Sequence, residues 1–125
     1  MGRYYNGDIN GKFWFAVQSS TCGEQFGANE MPPTYIQYCI EDSEIACKRL
    51  LEIKDALGSK KLKIFNDYFK KNNGYNDEEL AEYFKTRGSE FKIHDLSLFA
   101  DYEFGVEVVE YFKNHEGPIY YDAEI

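Results

Sequence analysis

The sequence predicts an α+β domain in which a mainly antiparallel sheet is covered on one face by about four helices. Three observations lead to this prediction. Two Asn-Gly pairs near the N-terminus lie among aromatic residues, as in a β-hairpin. The middle of the chain holds four segments with helical periodicity and helix-capping residues. The last seven residues, Ile119 to Ile125, alternate as a strand does. With 125 residues, the chain fits a single domain over positions 1–125.

The N-terminal hairpin has two candidate turns, Asn6-Gly7 and Asn10-Gly11. A tight turn at Asn10-Gly11 pairs Ile9 with Lys12 and places Arg3 opposite Gln18, whereas a longer loop over Gly7 to Gly11 places Tyr5 opposite Phe13. Both registers remain open. In either one Lys12 to Gln18 is a strand, and its predicted core side carries Phe13, Phe15 and Val17.

A long loop and a third strand follow the hairpin. Residues Ser19 to Pro33 are rich in Ser, Thr, Gly, Asn and Pro, which is typical of a loop, and we expect Phe26 and Met31 to attach this loop to the core. Thr34 to Ile40 alternates Ile36, Tyr38 and Ile40 with Tyr35, Gln37 and Cys39, which predicts a strand.

The first two predicted helices come directly after that strand. Asp42 or Ser43 can cap the first helix, Gly58 ends it, and its apolar stripe contains Ala46, Leu50, Ile53 and Leu57. Ser59 can cap the second helix, which ends at Asn73-Gly74. The side chains predicted to face the core from this helix are Leu62, Phe65 and Phe69.

The third and fourth predicted helices also have recognisable ends. Asn76 followed by Glu79 resembles a capping box, Tyr75 can pack on Leu80, and the helix ends near Gly88 with a core face of Leu80, Ala81 and Phe84. After a bend or extended segment at Phe91 to Asp95, the last helix runs from Ser97 to His115. Its predicted stripe is Leu98, Tyr102, Gly105, Val109 and Phe112, with Phe99 and Val106 beside it. The terminal strand Ile119 to Ile125 then pairs with the earlier strands.

Charge and composition limit the possible partners. The formal net charge is -8 and the pI is near 4.7, which disfavours direct binding to a nucleic-acid backbone. The 11 Tyr and 10 Phe exceed what a small core needs and favour a surface that meets a partner. No segment resembles a signal peptide or a membrane span, so we expect a cytoplasmic protein with reduced thiols.

No catalytic residue, metal ligand or cofactor is predicted. Three Cys without C-x-x-C spacing and two distant His do not form a zinc motif. Neither His94 beside Asp95 nor His115 has a recognisable nucleophile nearby in sequence. The helically spaced Glu103, Glu107 and Glu110 are interpreted as a solvated helix face.

The densest set of recognition-type side chains lies in the hairpin. The candidate ligand-binding residues are Arg3, Tyr5, Lys12, Trp14 and Gln18. Stacking on Tyr or Trp beside Arg or Lys can hold a small anionic aromatic ligand such as a nucleotide without a phosphate loop. The alternative is that Trp14 and the tyrosines only cover the helices.

The opening G-R-Y-Y-x-G-D-I-x-G-K-F-W-F-x-V-Q-S-S, from Gly2 to Ser20, resembles the start of small uncharacterised proteins encoded by phages and large DNA viruses. Tyr35 to Ile40 and Tyr121 to Ile125 are similar to that group as well. The resemblance implies a viral origin and an accessory role in the host cell, and it transfers no functional residue.

These observations favour a non-catalytic binding protein, a viral accessory factor that engages a host protein through an acidic, Tyr-rich surface. The alternative is a protein that binds or sequesters a small nucleotide-like ligand. An enzyme with an unrecognised site and a minor virion component are two further hypotheses. The sequence leaves the oligomeric state and the order of the strands open.

Overall fold

The computed structural model of the protein describes residues 3–13, 18, 22–31, 37–72 and 76–123. In this part the strands are β1 (Arg3–Gly7), β2 (Gly11–Phe13), β3 (Ala28–Met31), β4 (Gln37–Ile40) and β5 (Ile119–Ala123). The helices are α1 (Cys22–Gln25), α2 (Ser43–Leu57), α3 (Ser59–Lys71), α4 (Asp77–Thr86) and α5 (Ile93–Asn114). The predicted α+β class is confirmed.

The five strands form one antiparallel sheet in the order β2-β1-β5-β4-β3. The C-terminal strand β5 therefore lies at the centre, between the N-terminal hairpin and the β3–β4 pair. Side chains alternate along β5, where Ile119, Tyr121 and Ala123 are buried and Tyr120 and Asp122 are exposed. The buried side faces the helices, and the other side is the outer face of the sheet.

The hairpin adopts neither predicted register. Tyr5 pairs with Gly11 and Arg3 with Phe13, so the loop is long but the strands are offset from the expected pairing of Tyr5 with Phe13. The reason lies outside the hairpin. After β1 the backbone N–H of Asp8 donates to the carbonyl of Tyr120 at 2.9 Å, and the carboxylate of Asp8 accepts from the N–H of Tyr120 at 2.9 Å. These bonds attach the loop to β5. Of the predicted strand Lys12 to Gln18, residues 14–17 lie outside the described residues.

The predicted loop from Ser19 to Pro33 is wrong over its described part, because it contains the one-turn helix α1 and the edge strand β3. Its anchors are Cys22, Phe26 and Ala28, all buried in the core, so the expectation for Phe26 is confirmed. β3 pairs with β4 along its four residues. An edge strand buries little of its length, which is why exposed Asn29 and Glu30 gave no strand pattern.

The cap signals of α2 and α4 are confirmed, whereas Ser59 does not cap α3, whose N-cap is Gly58 without a side-chain hydrogen bond. Asp42 caps α2, accepting from the backbone N–H groups of Glu44 at 2.9 Å and Ile45 at 3.4 Å, and the predicted stripe is buried. Asn76 caps α4 in the same way. Leu80 and Phe84 are buried there, whereas Ala81 is exposed, which corrects the predicted core face.

Helix α5 begins one turn earlier than predicted, because Asp95 in its first turn is buried and forms a 2.6 Å ion pair with Lys61 of α3. Its core side also differs from the predicted stripe. The fully buried residues include Leu96, Phe99, Phe104 and Val108, while Leu98, Tyr102, Val106 and Phe112 are only partly buried. Gly105 and Val109 are buried as predicted. Phe104 packs edge-on against Tyr5 and Tyr121, which joins α5 to the inner face of the sheet.

Candidate functional site

A cavity of about 580 Å³ opens between the hairpin and helix α5. The hairpin contributes Tyr5, Asn10 and Gly11, and Asn66 of α3 closes one side. The remaining described wall consists of Gln18 and of α5 residues Ala100, Tyr102, Glu103, Phe104, Val106 and Glu107. The volume is within the range of small-molecule sites, which is roughly 300–1,000 Å³. The cavity can therefore accommodate a small organic ligand.

Tyr5 connects the two sides of this cavity. Its ring is buried against Phe104, with the ring centroids 5.1 Å apart, and its hydroxyl donates a hydrogen bond to the Glu107 carboxylate. Gly11 opposite Tyr5 has no Cβ, and a Cβ there would collide with the Tyr5 hydroxyl. Glycine at position 11 thus leaves room for this side chain to reach α5.

Two carboxylates of the wall lie in an environment that disfavours their charge. Glu103 and Glu107 are one helical turn apart on α5. Desolvation raises the pKa of Glu103, and the charge of Glu107 raises it further. Desolvation also raises the pKa of Glu107, although the hydrogen bond from Tyr5 partly opposes this shift. Glu103 and Glu110 are exposed, as the interpretation of a solvated helix face predicts, whereas Glu107 is half-buried and bonded to Tyr5.

The structure brings together two of the five residues predicted for ligand binding. Tyr5 and Gln18 both line the cavity. Gln18 is a buried residue of this wall, and its Nε2 donates to the Ala100 carbonyl at 3.4 Å and to the Cys22 Sγ at 3.1 Å. The side chains of Arg3 and Lys12, and the whole of Trp14, lie outside the described residues.

The sequence analysis missed most of the wall, including Asn66, Glu103 and Glu107. Glu103 and Glu107 look like any surface pair on an acidic helix, and Asn66 carries no pattern at all. The available signal was the i,i+4 spacing of the two glutamates, which places both on one face of α5. No local pattern indicates that this face lies opposite the hairpin, because Tyr5 and Glu107 are 102 positions apart.

A buried polar cluster lies next to the cavity, on the other side of Gln18. Burial raises the pKa of the Asp101 carboxyl, and hydrogen bonds from Cys22, Gln18 and Gln25 together with the charge of Arg49 oppose that shift. Burial also raises the pKa of the Cys22 thiol, and the Asp101 charge adds to the effect. A thiol held protonated is a poor nucleophile, so this cluster is suited to anchoring α1 on α5 rather than to covalent chemistry.

A second accessible surface is the outer face of the sheet. Tyr4 is 59% exposed and Tyr120 is 49% exposed. The Asp8 carboxylate accepts a hydrogen bond from the Tyr120 N–H, and Asp122 is exposed two residues further along β5. A shallow depression of about 370 Å³ on this face is lined by Asp8, Tyr120, Asp122 and neighbouring strand residues. No helix in the described part of the chain covers this depression.

Neither histidine belongs to the described wall of the cavity. His94 is exposed on the first turn of α5. His115 is exposed at the other end of the helix and stacks on Tyr111 with ring centroids 4.1 Å apart. The described residues contain no group of three or more His, Cys, Asp or Glu that could hold a metal ion. Within the same residues no helix is long and apolar enough to cross a membrane.

No protein-family model, curated protein or solved structure matches the chain. A viral origin therefore stays a prediction from the resemblance of the N-terminal segment. The cavity and the outer face of the sheet are the two surfaces from which we infer a function.

Proposed function

We propose that the protein is a non-catalytic binding protein that engages a host protein through the outer face of its sheet. The observation that carries this proposal is the exposure of Tyr4 and Tyr120 on the face that also carries the exposed Asp8 and Asp122. Tyrosine is enriched in protein interfaces because it combines a large apolar ring with a polar hydroxyl. The resemblance of the N-terminal segment supports a role as a viral accessory factor in the host cytoplasm.

Charge complementarity indicates the chemistry of the partner. The whole chain carries a net charge of -8, and the described side chains around the two tyrosines add acidic groups to the outer face. A partner with a basic surface is favoured by such a face, and steering by opposite charges accelerates association. We therefore expect binding that weakens as the salt concentration rises.

The test is capture of host proteins on the immobilised protein at low and moderate salt, followed by affinity measurement with the captured partner. Tyr4→Ala and Asp122→Asn should each weaken binding several-fold, while Ile93→Ala, on an exposed position of α5, should not. Failure to capture a partner at either salt concentration would contradict the proposal. Equal binding by all three variants would show that the outer face is not the interface.

Small-ligand binding in the cavity is a second candidate function, because Tyr5 and Gln18 both line this cavity and its volume suits a small ligand. The sequence predicts that this ligand is nucleotide-like and that Arg3, Tyr5, Lys12, Trp14 and Gln18 bind it. A nucleotide should then raise the melting temperature, and Arg3→Ala and Trp14→Ala should abolish that rise. An unchanged rise in both variants would exclude this set of residues.

A further inference from the structure

We infer that the cavity binds a small organic cation, an amine or guanidinium compound, and that Glu103 and Glu107 recognise its charge. This inference rests on the second candidate function, small-ligand binding, and it is independent of the outer face of the sheet. It replaces the predicted anionic ligand by one of the opposite charge.

The acidic side chains of the described wall are Glu103 and Glu107. Its remaining polar side chains are the Tyr5 and Tyr102 hydroxyls and the amides of Asn10, Gln18 and Asn66. Carboxylates and amide oxygens accept hydrogen bonds, which an ammonium or guanidinium group donates. An anion would instead meet two negative charges.

The two carboxylates lie on one face of α5. The Tyr5 hydroxyl fixes Glu107 by donating to Oε2. Glu103 lies four residues earlier, which is about 6 Å along the helix axis. Desolvation and the charge of Glu107 raise the pKa of Glu103, although Glu103 remains exposed to solvent. A bound cation would lie between them and compensate both charges.

The described wall suits an organic cation better than a metal ion. Two carboxylates are too few for a protein metal site, and the described residues contain no cluster of three candidate ligands. The cavity also has apolar walls formed by Ala100, Phe104 and Val106, which suit a hydrocarbon chain. The aromatic rings of Tyr5 and Tyr102 can add cation–π attraction.

Isothermal titration calorimetry with agmatine tests the inference, because agmatine carries a guanidinium and an amine on a short hydrocarbon chain. The neutral diol 1,4-butanediol and the anion AMP serve as comparison ligands. Glu103→Gln and Glu107→Gln keep the side-chain shape, and Glu110→Gln, an exposed position on the same helix, is the matched control. Circular dichroism and thermal unfolding without ligand confirm that each variant folds.

We expect wild type and Glu110→Gln to bind agmatine equally and the diol not to bind. Each cavity variant should bind agmatine at least about tenfold more weakly, as expected for loss of a charge-assisted hydrogen bond. Equal binding by all variants would overturn the inference. Binding of AMP but not agmatine would overturn it while preserving the small-ligand function. Binding of neither ligand would contradict both.

Discussion

Gly105 in the middle of α5 offers a sharp test of the packing between this helix and the segment before β3. Glycine inside a helix costs about 1 kcal/mol relative to alanine, so helix propensity alone predicts that Gly105→Ala stabilises the protein. The structure predicts the opposite. A Cβ at position 105 would lie 2.5 and 2.6 Å from two ring atoms of Phe26 and 3.1 Å from Leu50 Cδ1. Phe26 is fully buried, so its ring has no free space into which to move.

The magnitude follows from these two opposing effects. Carbon atoms in contact are normally about 3.5–4.0 Å apart, so the ring must shift by roughly 1 Å. Overpacking of this kind typically costs about 1–3 kcal/mol. After the gain in helix propensity of about 1 kcal/mol is subtracted, Gly105→Ala should lower the free energy of unfolding by up to about 2 kcal/mol. The melting temperature should fall by up to roughly 8 °C.

Urea unfolding of a double-mutant cycle with Phe26→Leu isolates the contact. The smaller leucine leaves space for the new methyl group, so Gly105→Ala should cost less in that background, with a coupling energy of about 1 kcal/mol or more. An unchanged m-value would confirm that the variants differ in stability rather than in compactness of the unfolded state. The reasoning is refuted if Gly105→Ala stabilises the wild type, or if its cost is the same in both backgrounds.

Three further predictions concern single interactions. Lys61→Met should destabilise the fold by about 2 kcal/mol because it leaves the buried carboxylate of Asp95 without its ion-pair partner, and adding Asp95→Asn should restore most of the loss in urea unfolding. Asp42→Ala should cost about 1 kcal/mol by removing the cap of α2, whereas Asp42→Asn, which keeps the acceptor, should cost much less. Folding raises the pKa of Glu103, so the native state binds more protons at this group than the unfolded state does. The free energy of unfolding therefore falls as the pH rises from the ordinary pKa of glutamate through the raised pKa of Glu103. Glu103→Gln should therefore become more stable relative to wild type over that pH window, and a difference that shrinks with rising pH would contradict the assigned shift.

The parts of the fold predicted correctly from the sequence are those that depend on local chemistry. Asp42 and Asn76 cap their helices through backbone groups two and three residues away, so the signal and its effect lie in one short segment. The edge strand β3 was missed because its extended conformation depends on backbone pairing with β4 rather than on a pattern in its own residues. The predicted core side of α5 differs from the observed one because apolar and aromatic residues occur all around this helix. Phe104 is buried because it packs against Tyr5 and Tyr121, which are distant in sequence or lie on another element.

The candidate site shows the same limit. Tyr5 and Gln18 could be selected as recognition residues because they lie in an unusual segment rich in aromatic and polar groups. Glu103 and Glu107 could not be separated from the other 20 acidic residues, since the half-burial of Glu107 depends on its contact with Tyr5 of the distant hairpin. The side-chain alternation of strands, once the sheet is known, assigns each of the hairpin tyrosines to a different surface.

This alternation makes the two proposed sites experimentally separable. Adjacent residues of β1 point to opposite faces, so Tyr4 is exposed on the outer face while Tyr5 is 5% exposed and bonds to Glu107 on the inner side. Tyr4→Ala should therefore weaken capture of a basic partner and leave agmatine binding unchanged. Tyr5→Phe removes only the hydroxyl that fixes Glu107, so it should weaken agmatine binding and leave partner capture unchanged. If both variants impaired both activities, one shared surface would have to account for them, and the assignment of separate sites to the two faces of the sheet would be wrong.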